Sequence, residues 1–241
     1  MGVAVRKVMQ YGDKKLEFEV VRSRRRTLAI AVESSASVVV RAPMTLPAQK
    51  ILEIVEQKAD WINNKLAFWQ KAQDEKLERE NVQGKSLLYL GQYYSLQLEV
   101  IPGLKKDSVR LEAEKIIVQT GDAKPERIEK ALNKCYRERA QELITQRVLY
   151  YGRFFDGKPS AVQIKEQKKR WGSCTYNNKL LFNWRCIMAR REALDYVVVH
   201  EMSHMVQKNH SPAFWQIVET IMPKYKLEKK WLKENVINMD L

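Results

Sequence analysis

Apolar positions in the first half of the chain recur at two spacings. Leu16 to Val21, Thr27 to Val32 and Ser37 to Ala42 alternate or run apolar, with turn-forming residues between them, which is the pattern of strands. Pro43 and Pro47 close this block. From Ala48 to about Gln73 the spacing changes, and Ile51, Ile54, Val55, Ala59, Ile62 and Leu66 fall at helical intervals. Gln73 to Lys85 is charged and polar and reads as a linker or an exposed helix end. Leu87 to Leu90, Tyr94 to Val100, Val109 to Glu112 and Ile116 to Gln119 then read as strands, and a helix follows from about Pro125 to Tyr151. The plan recurs: Val40 lies seven residues before Pro47 and Val118 seven before Pro125, each pair joining a strand end to a helix start. A duplication and two unrelated hairpin-plus-helix units both fit this echo.

Further on, Ala161 to Lys169 and Leu180 to Met188, separated by a turn at Asn177 and Asn178, predict a hairpin. Ile164 to Trp171 is the candidate for a free sheet edge on which an extended peptide pairs as an added strand, with a wholly internal strand as the other reading. Its charges, Lys165, Lys168, Lys169 and Arg170, suit either a guarded edge or a phosphate contact. The run Tyr196 to Val199 is β-branched and taken alone favours a strand. Leu194, Val198, Met202 and Val206 stand four apart, however, and predict a buried helix in which tertiary burial overrides propensity. The expected fold class is α+β, with a β-rich region carrying one long helix over residues 1–122 and a second region over 123–241.

Composition changes the picture in two ways. Lys and Arg number 43 against 29 Asp and Glu, a net charge of +14, which attracts polyanions and keeps nucleic acid in view as a partner. A solvated basic surface without a dedicated partner is the commoner origin of such a surplus. The four arginines of Arg22 to Arg26 offer a phosphate grip or, by default, a solvated strand end. No uncharged apolar stretch approaches the ~20 residues needed to cross a bilayer, and MGVAVRKVMQ lacks a signal-peptide core, so no membrane partner and a cytoplasmic location are expected. Three unclustered cysteines, Cys135, Cys174 and Cys186, fit reduced thiols. The oligomeric state is not readable from the sequence.

The chemistry concentrates in one short window. All three histidines, His200, His204 and His210, lie within eleven residues, and the first two frame HEMSH. Residues four apart share a helix face, so His200 and His204 can present nitrogens to one ion, while Glu201 borders that face without occupying the ion. The chain must turn before His210, and Asn209 suits a left-handed helix end. Ser211 and Pro212 then read as the N-cap and first residue of a new helix anchored by Phe214 and Trp215. Zinc is the metal expected from this set. Three neutral imidazoles leave it a fourth position for water, whose pKa falls from about 15.7 toward about 7, and Glu201 is placed to take the proton. No C-x-x-C pair supports a closed structural zinc, although spacing leaves Cys174 or Cys186 free to approach the metal. Tyr196, one turn before His200, is a candidate oxyanion donor or simply a core residue, and Trp171 a cleft wall or a core residue. Trp61 and Trp69 read as packing residues.

Five segments together carry a family resemblance: SRRRTLAIAV (Ser23 to Val32), VVVRAP (Val38 to Pro43), LYLGQYYSL (Leu88 to Leu96), RWGSCT (Arg170 to Thr175) and LDYVVVHEMSHMVQKNHSPAFW (Leu194 to Trp215). The chain thereby resembles the YgjP-like family of zinc metallopeptidases over nearly its whole length. The resemblance implies a zincin-like core over residues 123–241, related to the SprT-like and Wss1-like proteases, with Zn2+ on His200, His204 and His210 and Glu201 as the catalytic glutamate. It also implies a peptide or protein substrate, and Trp171, Gly172 and Ser173 as residues shaping the cleft. SprT-like relatives act on proteins attached to DNA, which would give the positive charge a purpose, yet no recognisable DNA-binding motif is present. Metzincins share the spacing from second to third histidine but carry Gly mid-gap, where this chain has Gln207. The expected function is a zinc-dependent metallopeptidase working through a water activated by Glu201; the alternatives are a DNA-associated protease and a non-catalytic zinc-binding module.

Overall fold

The computed structural model describes residues 4–12, 14–33, 35–83, 85–167 and 170–241. The chain divides into two compact units, Met1–Arg79 and Glu80–Leu241. In the first, β1 (Ala4–Tyr11), β2 (Lys14–Ser23), β3 (Ala29–Val32) and β4 (Val38–Pro43) form a sheet in the order β1-β2-β4-β3. The two outer pairs are antiparallel, and β2 runs parallel to β4 with Val20 opposite Val40. Leu16, Phe18 and Val20 alternate inward at period two and meet Val38, Val40 and Ala42. Ile51 and Val55 of α1 (Ala48–Gln57) and Ile62 of α2 (Ala59–Gln83) complete this core. One continuous helix to Gln73 was expected; instead the chain leaves helical geometry at Lys58 (φ −106°, ψ 7°), and α2 then runs on to Gln83. β1 was not anticipated, because it is exposed at most positions and shows no inward alternation to read. Trp69 is buried as expected, whereas Trp61 is 45 % exposed and is not a core residue.

The second unit opens with β5 (Ser86–Tyr89), β6 (Gln92–Val100), β7 (Ser108–Glu112) and β8 (Lys115–Thr120), in the order β5-β6-β8-β7. Its pairings repeat those of the first sheet, with Leu98 opposite Val118 in the parallel pair. Both second hairpins turn through an alanine in the left-handed region, Ala36 (φ 56°) and Ala113 (φ 49°). The echo in the sequence is therefore a repeated topology. α3 (Pro125–Tyr151) follows with the predicted bounds, and Ile128, Leu132, Tyr136, Ala140, Ile144 and Val148 line its buried stripe. Leu87, Leu88, Ile116 and Val118 share one core with that stripe and with Trp184, Leu194 and Val198. Residues on both sides of the expected division at 122 and 123 contribute to this core.

A smaller sheet of β9 (Ala161–Lys165), β10 (Gly172–Cys174) and β11 (Lys179–Asn183) has the order β10-β11-β9. Here the structure corrects the expected hairpin: β9 lies parallel to β11, and the strand folding back through the Asn177–Asn178 turn is the short β10. Trp184–Met188 is a 3-10 helix rather than a continuation of the strand. Ile164 to Trp171 is likewise not one edge strand, since strand structure ends at Lys165; Lys168 and Lys169 lie outside the described residues. α4 (Arg191–Val206), α5 (Pro212–Ile221) and α6 (Tyr225–Asn235) complete the unit.

The turn after β5 is fastened to the segment entering α4. Leu90 and Gly91 donate backbone N–H groups to the carbonyls of Ile187 (2.9 Å) and Met188 (3.0 Å). Gly91 has φ 79°, and a Cβ there would stand 2.7 Å from Cβ of Arg190, so both its conformation and its surroundings demand glycine. α4 is also tied to α3. Asp195, almost fully buried, accepts from Arg147 Nε at 2.6 Å and its terminal nitrogen at 2.8 Å, and from the Tyr151 hydroxyl at 3.3 Å. Asp195→Ala would leave the Arg147 charge unpaired in a largely buried place, and a loss of about 3 kcal/mol in unfolding free energy is expected by urea titration. A loss below about 1 kcal/mol would show that Arg147 finds solvent instead.

Candidate metal centre

α4 is buried on nearly all sides, from Ala193 to Val199 and again from Glu201 to Ser203. This explains how a β-branched run becomes a helix: burying Val197, Val198 and Val199 outweighs a propensity difference of a few tenths of a kcal/mol per residue. The entrance of the helix is held by Arg190, whose guanidinium makes two 2.9 Å bonds to Glu228 of α6.

The exit of α4 departs from expectation. Gln207 is extended (φ −127°, ψ 107°), so the helix stops there, and Asn209 is not among the left-handed residues. Asn209 acts through its side chain instead: its Oδ1 accepts from the backbone N–H of Ser211 and from Nε2 of Gln207, each at 3.2 Å. Gln207 Nε2 also donates to Ser211 Oγ at 3.1 Å, so this glutamine braces the whole turn. Ser211 caps α5 by accepting from the Phe214 N–H, with Pro212 at the first helical position, as the sequence predicts.

These two helix ends bring the three histidines together. One nitrogen from each of His200, His204 and His210 falls within a group no wider than 4.8 Å, and Nε2 of His200 stands 3.1 Å from Nε2 of His210. Bonds of about 2.0–2.1 Å to one tetrahedral ion place ligand nitrogens roughly 3.3 Å apart, so the set fits such an ion. In His200 and His204 the opposite ring nitrogen is already engaged. His204 Nδ1 meets the Gln207 carbonyl at 3.0 Å, and His200 Nδ1 meets the Tyr196 hydroxyl at 3.5 Å. Such partners fix ring orientation and leave Nε2 free for an ion. Tyr196 also lines the cleft that holds the three histidines, although it is 6 % exposed and packs with the core. The buried Phe214 packs a ring against all three imidazoles at centroid distances of 4.4 to 4.9 Å. Burial first, then the neighbouring imidazoles, holds His200 down at about 3, and burial lowers His204 as well, so both are in the neutral form that ligates metals.

Glu201 lines the same cleft, which encloses about 470 Å³. It is 5 % exposed, and burial lifts its carboxyl to about 8 against the opposing pull of Arg170. Its room comes from a missing side chain. A Cβ on Gly172 of β10 would lie 2.6 Å from Glu201 Cγ and 2.8 Å from Oε1. The sequence singled out Gly172 only as part of a turn-like unit; the contact with Glu201 joins residues far apart in the chain and leaves no local signal.

The remaining walls come from Arg170 to Cys174, from Tyr196 and Val197, and from Lys208. Among the described residues the candidate metal-binding group contains no cysteine: Cys186 is buried and bonded to the Trp171 carbonyl at 3.4 Å. Cys174 does line the cleft, half-buried, and burial raises its thiol although Lys208 opposes this, which favours the unreactive protonated form. Trp171 is a wall of the cleft and packs partly against the core. The arginine run is not a free phosphate grip at its start, because one terminal nitrogen of Arg22 donates to the carbonyls of Pro43, Met44 and Leu46.

A family model described as YgjP-like, metallopeptidase domain, matches residues 26–235. No curated protein and no solved structure matches the chain.

Proposed function

Since the chain belongs to the YgjP-like metallopeptidase family, a membership that implies a bound metal ion, we propose that it is a zinc-dependent hydrolase of peptide bonds with Glu201 as its general base. The observation that carries this reading is the convergence of three imidazole nitrogens within 4.8 Å, in the cleft that also holds a buried glutamate. An all-nitrogen set of three suits zinc and leaves it an open position, as catalytic rather than structural zinc sites do. Zinc held by His200, His204 and His210 supplies Lewis acidity toward a carbonyl oxygen and acidifies a water molecule.

The protein's own groups do the rest. Glu201 accepts a proton from the attacking water and returns it to the departing amine, so one C–N bond is exchanged for a carboxyl and an amine. Tyr196 and the Gln207 carbonyl keep two imidazoles turned toward the ion. β10 provides the substrate edge that the sequence placed at Ile164 to Trp171. Its pairing to β11 uses Trp171, whose carbonyl accepts from Asn183, and Thr175, whose N–H meets the Lys179 carbonyl. Alternation then points the backbone groups of Gly172 and Cys174 to the free side, where an extended peptide can pair regardless of its sequence. No helix among the described residues is long and apolar enough to cross a membrane.

The test is a peptide-library digest of zinc-loaded protein, with the Glu201→Gln variant as the blank; identical digests of the two would sink the assignment. Metal binding has its own readout. Zinc at a hundredfold excess over its Kd is expected to stabilise the protein by about 2.7 kcal/mol, with EDTA reversing the gain and His204→Ala abolishing it. A melting temperature indifferent to zinc would remove the metal from these three residues.

A further inference from the structure

The charges that reach the solvent of the cleft are of one sign. Arg170 and Lys208 line it, both exposed, while Glu201 is buried. Elsewhere in the chain arginines hold carboxylates: Arg110, Arg127, Arg137, Arg147, Arg185 and Arg190 each sit in an ion pair. Among the described residues neither Arg170 nor Lys208 has such a partner.

Lys208 is held at its charged end, and Arg170 at its backbone. Lys208 Nζ donates to Asn178 Oδ1 at 2.6 Å and to the Thr175 carbonyl at 3.3 Å, neutral acceptors that position its charge without cancelling it. Arg170 is held through its backbone. The buried Asn183 donates from Nδ2 to the carbonyls of Gln167 (2.7 Å) and Arg170 (3.3 Å), and from its backbone N–H to the Trp171 carbonyl (2.7 Å). A third positive charge, Lys229, lies 4.4 Å over the ring of Trp215, which is itself 5.8 Å from that of His200.

The placement of the first two defines a register. Arg170 stands two residues before β10 and Lys208 docks on the residue after it, so the two bracket the edge with roughly 17 Å of extended chain between them, at about 3.3 Å per residue. A peptide paired with Gly172 and Cys174 therefore runs past a positive charge at each end. A nucleic acid strand would meet the same charges but has no amide ladder for the edge to pair.

Resting on the peptidase reading, we propose that the cleft selects peptide segments carrying Asp or Glu on both sides of the bond cut, with Arg170 and Lys208 as the specificity residues. Exposed pairs of this kind give about two- to fivefold each, weakened by salt.

The test measures binding and cleavage separately. Eight-residue peptides of one backbone with acidic, neutral or basic flanks are titrated by fluorescence anisotropy into zinc-loaded Glu201→Gln protein, at low and high salt, and digested with the active protein. Acidic flanks are expected to bind about tenfold tighter than neutral ones at low salt. Arg170→Gln and Lys208→Gln should each shrink the ratio of acidic to neutral binding, taken within each variant, and Lys208→Arg should retain it. Equal binding of acidic and neutral peptides, a preference that survives the double variant, or displacement of the acidic peptide by single-stranded DNA at equal charge would overturn the proposal. The two readings fail separately: selective binding without any cleavage removes the peptidase and keeps the specificity, whereas cleavage indifferent to charge does the reverse.

Discussion

Glu201→Gln is expected to lower kcat by about 10²- to 10⁴-fold, the usual worth of a positioned general base, while zinc content and melting temperature stay near those of the unaltered protein. The substitution keeps the volume of a side chain that is almost wholly enclosed, so packing against Gly172 is preserved and only the capacity to take a proton is lost. Glutamine also carries no charge into the cleft, which removes a desolvation cost rather than adding one. Zinc stoichiometry by metal analysis and kcat by a fluorogenic peptide distinguish the outcomes. Activity within about tenfold of the starting protein would assign the base elsewhere; activity lost together with zinc would make Glu201 a structural support of the histidines.

Gly172→Ala is expected to reduce kcat by about 10²-fold with KM and zinc affinity little changed. The added methyl would lie 2.6 Å from Glu201 Cγ and under 3 Å from two further carboxylate atoms, closer than carbon atoms pack, so the carboxylate must shift. A displacement of about 1 Å at a reacting group costs on that order. The free edge itself should survive, because alanine fits an extended strand. Coupling tells this role from a general loss of stability. Glu201→Asp withdraws the carboxylate by one methylene and makes room, so Gly172→Ala should cost less in that background than alone, a non-additivity expected only of groups in contact. Additive effects, or a kcat within twofold of the starting value, would dismiss Gly172 as a positioning residue.

Elements whose instructions are local were legible in the sequence. α3 begins at Pro125 and ends at Tyr151 as its apolar spacing predicts, and the cap at Ser211 with Pro212 behind it starts α5. Where two local instructions competed, burial chose: Val197 to Val199 prefer a strand by themselves, yet α4 buries them all. The left-handed end predicted at Asn209 failed for a related reason. An asparagine can end a helix through its backbone or bridge a turn through its side chain, and the hydroxyl of Ser211 and amide of Gln207 nearby favoured the second. Partner choice among strands was not legible at all. β9 and β11 look like a hairpin in sequence because two strands and a turn adjoin, but the chain passes through β10 first, and β10 takes the antiparallel place beside β11 while β9 pairs parallel on the other side.

The sequence by itself determined the chemical inventory: three histidines at ligand spacing, a carboxylate beside the first, and a helix break that lets the third return. Those are consequences of helical periodicity and capping, which act over a few residues. The tertiary structure decided what that inventory faces. It brought Gly172 against Glu201, held the Arg170 backbone by way of Asn183, tied Lys208 to the turn after β10, and made β10 an edge of its sheet. Each of these joins positions distant in the chain through packing and hydrogen bonds that exist only once the sheet and helices have closed on one another, so no local pattern could encode them.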